Sequence, residues 1–145
     1  MRSTKRGRLT RAVTDGRATR VVMRLGVAIE LVTGLTLLVI PGVVIRVLIG
    51  ADEGTTSTIV GRVLGGALVG LGIAGASASG HTPERRIVLA YVVYNISTAT
   101  ILAAASVAGT ASGILLWPVV AVHALLALVL LGGLLLKAPS RTASR

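Results

Sequence analysis

Five polar residues of types that carry chemistry stand inside long apolar stretches of the chain: Glu30, Arg62, Tyr91, Asn95 and His123. Polar side chains are costly in lipid and usually face the interior of a helical bundle. An acid and a histidine in a site of low dielectric can exchange protons. We therefore interpret these residues as a candidate intramembrane polar site, and we predict no catalytic residue and no metal site.

The surroundings of these residues favour burial. Gly26 and Gly34 lie one helical turn before and after Glu30, and glycine allows another backbone to approach closely. Burial disfavours a charged carboxyl group, so we expect Glu30 to be neutral or paired. A further stripe of polar residues has the i, i+3, i+4, i+7 spacing of one helix face: Tyr91, Tyr94, Asn95 and Thr98.

Depth along the helices indicates which of these residues could meet. At 1.5 Å per residue, Glu30 and Asn95 each lie about 12 Å from the basic ends of their helices. By the same measure His123 lies roughly 8 Å further along, and Arg62 further still. A contact between Glu30 and Asn95 is therefore feasible, whereas Glu30 would need helix tilt or a water to reach His123.

Two interpretations of the polar set stay open. The first is a proton-linked or quinone-linked site near the bilayer midplane, with quinone as the sole cofactor considered. The second, which we favour slightly, is a set of interhelical hydrogen bonds that hold a small bundle together. The two histidines are far apart in the sequence, at His81 and His123, which argues against a haem or metal site.

The elements that must position these residues follow from composition. Of the 145 residues, 53% are hydrophobic, 18 are glycine and 14% are charged. Soluble domains usually carry about 25% charged residues, and disordered chains are less hydrophobic than this one. The sequence therefore predicts an integral membrane protein, and the absence of cysteine excludes disulfides and thiolate sites.

Four stretches are long enough to cross a bilayer as helices, at residues 22–40, 59–78, 87–107 and 114–136. They do not alternate apolar and polar residues as barrel strands do. The fold prediction is an all-α, four-helix membrane bundle. The pair Pro41-Gly42 should end the first helix, and residues 43–50 form either a short interfacial helix carrying Arg46 or a frayed extension. Thr58 is expected to be the N-cap of the second span.

Glycines at small-xxx-small spacing predict close packing of the second span. The glycines assigned to helix packing, together with the two that flank Glu30, are Gly26, Gly34, Gly61, Gly65, Gly66 and Gly70.

Basic residues predict the orientation. Twelve of the 15 Lys and Arg fall in the 1–21 tail, the loop between the second and third spans, and the 137–145 tail. Since basic loops stay in the cytoplasm, we expect a multi-pass protein of the bacterial inner membrane with both termini cytoplasmic. The basic N-terminal tail is expected to contact anionic lipid. No nucleic-acid partner is predicted, because no aromatic residue interleaves the basic residues of that tail.

Four segments together resemble a class of small four-helix bacterial membrane proteins that is loosely DoxX-like: GVAIELVTGLTLLVIPGVV, GRVLGGALVGLG, YVVYN and LWPVVAVHALLAL. The resemblance covers about residues 24–131 and implies an association with quinol oxidation and redox stress, without any set of catalytic residues. Small multidrug transporters also place a Glu in the first of four helices, but they rely on aromatic residues, which are 2% of this chain.

The sequence thus favours a small membrane protein without activity of its own, acting as an accessory or scaffold, with a homo-oligomer or a membrane protein as its partner. The alternatives are the proton-linked or quinone-linked site and, with less support, multidrug transport.

Overall fold

The computed structural model describes residues 3–52, 54–79 and 84–136, which form five helices and no strand. The helices are α1 (Ser3–Val39), α2 (Pro41–Ile49), α3 (Thr55–Ser79), α4 (Arg85–Val107) and α5 (Leu116–Leu136). The predicted all-α bundle is confirmed. His81 and the basic residues of the 137–145 tail lie outside the described residues, as do the side chains before Arg17.

Four of the helices are long and apolar enough to cross a membrane: Arg17–Val39 within α1, Thr55–Ser77 within α3, and the whole of α4 and α5. Large apolar side chains cover their outer faces, and Val32, Val63 and Leu128 are each about two-thirds exposed. Such contiguous apolar surface is unfavourable in water and suits lipid. The chain is therefore a multi-pass membrane protein.

Helix α1 is longer than the predicted first span, because it begins at Ser3. Most of the predicted 1–21 tail therefore continues the first helix instead of preceding it. No proline occurs before Pro41, so nothing in the sequence forces a break at the boundary between the tail and the span.

The predicted break after α1 and the short helix that follows it are both present. α2 begins at Pro41, whose missing N–H is harmless in a first helical turn. It ends at Gly50, which has a left-handed φ of 79°. Backbone bonds then tie α2 to the connection between α4 and α5: Ser112 N donates to Ile49 O at 2.8 Å, and Leu115 N donates to Val47 O at 2.9 Å. The position of α2 at a membrane interface stays a prediction.

The N-cap prediction for Thr58 is wrong. α3 begins three residues earlier, at Thr55, and the Thr58 hydroxyl donates back to Gly54 O at 2.9 Å. Ser57 instead accepts a hydrogen bond from Gly54 N at 2.9 Å. This bond is one half of a capping box, in which a side chain in the first turn satisfies the backbone N–H before the helix.

α1 packs most extensively against α3 and also contacts α5, while α4 packs mainly against α5. The backbones of α1 and α3 touch at two glycines. A Cβ atom added to Gly65 would lie 2.7 Å from Gly34 O, and one added to Gly34 would lie 2.8 Å from Gly65 O. A buried apolar cluster then joins α1, α4 and α5, formed by Met23, Val27, Val88, Tyr91, Val92 and Leu130.

The six glycines assigned to packing divide into two groups. Gly26, Gly34, Gly61 and Gly65 lie against other helices, whereas Gly66 and Gly70 have no atom within 4 Å of an added Cβ. For Gly66 and Gly70 the prediction of packing within the described chain is wrong. Each residue turns a helix by about 100°, so Gly66 cannot share the face on which Gly65 meets α1.

Candidate functional site

Glu30 lies in the interior of the bundle, where its side chain is 1% exposed. The Tyr94 hydroxyl of α4 lies within hydrogen-bonding reach of the Glu30 carboxyl group. Oε1 of the same carboxyl is buried and has no hydrogen-bond partner among the described residues. Since buried polar atoms are nearly always bonded, this oxygen marks an incomplete polar site.

Tyr94 connects the acid to the rest of the polar set. The Thr98 side chain, one turn further along α4, lies within hydrogen-bonding reach of the Tyr94 hydroxyl. The Tyr94 ring meets the His123 ring edge-on, with centroids 5.6 Å apart and planes inclined by 80°. A single tyrosine therefore contacts the acid on α1 and the histidine on α5.

Asn95 and His123 form the second part of the site. Asn95 is fully buried, and its Nδ2 donates to the Tyr91 carbonyl at 2.7 Å. Its Oδ1 lies 2.7 Å from Nδ1 of His123, which is 5% exposed. An amide oxygen can only accept a hydrogen bond, so Nδ1 of His123 must carry the hydrogen. This fixes the protonated nitrogen and leaves Nε2 as the one that can accept a proton.

Tyr91 is fully buried, and its hydroxyl bonds to a backbone carbonyl of α3 and not to Glu30. It donates to the Leu71 carbonyl of α3 at 3.0 Å. The ring lies against Gly26, where an added Cβ would be 3.4 Å from Cε1. Tyr91 thus joins α4 to α1 and α3 and borders the polar site without entering it.

Arg62 is not part of this site. It is exposed and lines a cleft beside α2, so its placement with the other four residues is wrong. The reason lies in the register of α1 and α3, which touch at Gly34 and Gly65. Glu30 precedes this contact on one side and Arg62 lies on the other, so the two are about 10 Å apart along the bundle axis.

The predicted depths were also inaccurate for His123. Its bond to Asn95 places the two side chains at one level, whereas the helix rise had separated them by roughly 8 Å. The depth calculated from the helix rise requires all helices to end in a common plane. Helices that are joined by loops of unequal length need not do so. The feasible contact between Glu30 and Asn95 is replaced by one between Glu30 and Tyr94.

Tyr94 is the residue that the candidate site lacked. The polar stripe on α4 is the sequence signal that could identify Tyr94. The predicted site contains only Tyr91 and Asn95 of this stripe. Tyr94 and Thr98 lie on the same stripe, Tyr94 beside the acid and Thr98 beside the Tyr94 hydroxyl.

Comparisons with protein-family models, with curated proteins and with solved structures find no match for this chain. The resemblance to DoxX-like proteins stays a prediction.

Proposed function

We propose that this membrane protein binds and releases a proton at Glu30, within a buried site completed by Tyr94, Asn95 and His123. The observation that carries the proposal is the Glu30 carboxyl group, which is 1% exposed and which, among the described residues, forms no ion pair and has one oxygen without a hydrogen-bond partner. An ionisable residue inside a membrane-spanning bundle is by default a functional candidate.

The chemistry of the neighbours supports this role. The Tyr94 hydroxyl lies within hydrogen-bonding reach of the carboxyl group, and a hydrogen-bond donor of this kind stabilises the carboxylate after the proton leaves. The Nε2 atom of His123 can take up a proton beside the same tyrosine ring. The set therefore contains a proton donor in the Glu30 carboxyl group, the Tyr94 hydroxyl beside it and a proton acceptor in Nε2 of His123. These groups lie on α1, α4 and α5.

The test is infrared difference spectroscopy of the purified full chain in detergent, recorded between acid and alkaline pH. We expect a C=O stretching band of a buried protonated carboxyl that disappears on titration and is missing in Glu30→Gln. Tyr94→Phe should shift this band, because it removes the hydroxyl beside the carboxyl. Glu84→Gln is the matched control, since Glu84 is an exposed acid at the start of α4.

A band that is unchanged in Glu30→Gln, or one that titrates only when the protein unfolds, would contradict the proposal. Circular dichroism of each sample distinguishes these cases.

An accessory or scaffold role is the second candidate. It is favoured by two hydrogen bonds that join different helices, from Tyr91 to Leu71 O and between His123 and Asn95. If Glu30→Gln melts early without changing the spectrum, the polar residues serve packing and this second candidate is supported.

A further inference from the structure

A cleft of about 440 Å³ opens at the junction of α1, α2 and α3, away from Glu30. Apolar residues and backbone form most of its wall, from Val39 to Val43 and at Val47. The other two lining residues are Arg46 of α2 and Arg62 of α3. A cavity with apolar walls and two guanidinium groups has the chemistry of a site for an amphiphile with an anionic head.

The two arginines differ in their partners. Arg46 lies 3.4 Å from Asp52, in an ion pair whose side chains are 73% and 96% exposed. Such exposed pairs contribute little and exchange readily with other ions. Within the described residues no acidic side chain forms an ion pair with Arg62. Among the described residues at the cleft, Arg46, Arg62 and Asp52 leave one positive charge to balance.

The location of Arg62 favours a counterion. It lies seven residues into α3, within the segment that is long and apolar enough to span a membrane. Seven residues correspond to about 10 Å of helix, a depth from which the long arginine side chain can reach back toward the headgroups. An arginine at that depth is stabilised by reaching a phosphate group.

We propose that this cleft binds an anionic phospholipid, with the headgroup phosphate between Arg46 and Arg62 and the acyl chains along Val39, Ile40 and Val43. Guanidinium groups match phosphate oxygens in geometry as well as charge. A headgroup with a net charge of −1 balances the charge of Arg46, Arg62 and Asp52. The exposed apolar side chains of Val39, Ile40 and Val43 provide the lipid-facing wall, each being at least half exposed.

The test is a titration of the purified full chain in detergent with phosphatidylglycerol or phosphatidylcholine of identical short acyl chains, with bound lipids counted by native mass spectrometry. We expect the wild-type chain to prefer phosphatidylglycerol. Arg62→Gln should reduce its affinity for phosphatidylglycerol about fivefold, corresponding to the roughly 1 kcal/mol that a basic residue contributes at an anionic surface. Arg46→Gln should act in the same direction.

Two variants serve as controls. Arg62→Lys keeps the charge and should retain the preference for phosphatidylglycerol. Arg85→Gln removes an exposed arginine at the opposite end of the bundle and should leave the preference unchanged. An equal loss in Arg85→Gln and Arg62→Gln, or no loss in either Arg62→Gln or Arg46→Gln, would overturn the proposal.

Inorganic phosphate separates a lipid from a small anion as the occupant. We expect millimolar phosphate to leave phosphatidylglycerol bound, because the free ion lacks the acyl chains that contact the apolar wall. Complete displacement by phosphate would show a small-anion site and overturn the lipid assignment. The proposal does not depend on Glu30, so Glu30→Gln should bind phosphatidylglycerol as the wild type does.

Discussion

Asn95 shows how one residue can hold two helices at a fixed register. Its amide donates to the Tyr91 carbonyl on its own helix and accepts from His123 on α5. Because both ends of the amide are engaged, neither a flip of Asn95 nor the other tautomer of His123 preserves both bonds. The histidine is therefore oriented by the asparagine, and its ring is in turn packed against Tyr94.

Asn95→Ala should lower the free energy of unfolding by roughly 1–3 kcal/mol, because it leaves the buried Nδ1–H of His123 without an acceptor. His123→Ala and the double variant complete a double-mutant cycle. We expect a coupling energy of about 0.6–1.7 kcal/mol, the range measured for hydrogen bonds between membrane helices. Reversible unfolding in mixed detergent and SDS micelles measures all four proteins, and a coupling energy near zero would contradict the bond.

Glu30 differs from Asn95 because one of its carboxyl oxygens has no hydrogen-bond partner among the described residues. The described part of the chain provides the Tyr94 hydroxyl for the carboxyl group and nothing for Oε1. Leaving a buried carboxylate without a cation costs several kcal/mol. If this position served packing alone, an apolar side chain would stabilise the bundle more than a carboxyl group does. This difference distinguishes Glu30 from the Asn95–His123 pair.

At the scale of the helices, the glycines of α3 determine how closely it approaches α1. Gly65 touches the α1 backbone at Gly34, whereas Gly66, the next residue, faces open space. The two positions therefore form a matched pair for testing helix contact.

Gly65→Ala should destabilise the bundle by several kcal/mol, because its Cβ would lie 2.7 Å from a backbone oxygen that cannot move without separating α1 from α3. In Gly66→Ala the added Cβ meets no atom, and alanine has a higher helix propensity than glycine. The substitution should therefore be neutral or stabilise the protein by up to about 1 kcal/mol. The same SDS unfolding assay compares both variants. Equal destabilisation by Gly65→Ala and Gly66→Ala would contradict the contact between α1 and α3 at Gly65.

The sequence predicts individual helices well and their mutual arrangement poorly. Apolar length identifies the spans, and Pro41 marks the break before α2, because both are local properties of the chain. Which face of α3 meets α1 is not local: Gly61, Gly65, Gly66 and Gly70 share one motif, yet only the first two are packed. The packing of α5 against α4 likewise brings the His123 side chain level with that of Asn95, which no count of residues along separate helices could show.

The sequence predicts most members of the candidate site but not the contacts between them. Glu30, Asn95 and His123 are all buried in the same bundle interior. The sequence does not distinguish Tyr94 from Tyr91, because the choice between them depends on a rotation of α4 that only the neighbouring helices determine. The prediction includes Arg62 because its sequence position lies inside a span, whereas its side chain is exposed and lines the cleft beside α2.

The whole molecule has an uneven distribution of charge along its long axis. Exposed arginines border one end, at Arg17, Arg20 and Arg24 on α1 and at Arg85 and Arg86 on α4. The opposite end carries Arg46 and Arg62, with Asp52 beside them. The positive-inside rule predicts that the first end faces the cytoplasm, in which case the proposed lipid cleft lies in the outer leaflet.

Because the chain contains no cysteine, single-cysteine variants can test this orientation directly. Glu84 and Ala108 are exposed residues at the two ends of α4, whose 23 residues span about 34 Å. In intact cells a membrane-impermeant maleimide should label Ala108→Cys and spare Glu84→Cys, and after lysis it should label both. Arg17→Cys, on the same side as Glu84, should behave as Glu84→Cys does. Labelling of Glu84→Cys in intact cells would reverse the orientation and place the lipid cleft in the cytoplasmic leaflet.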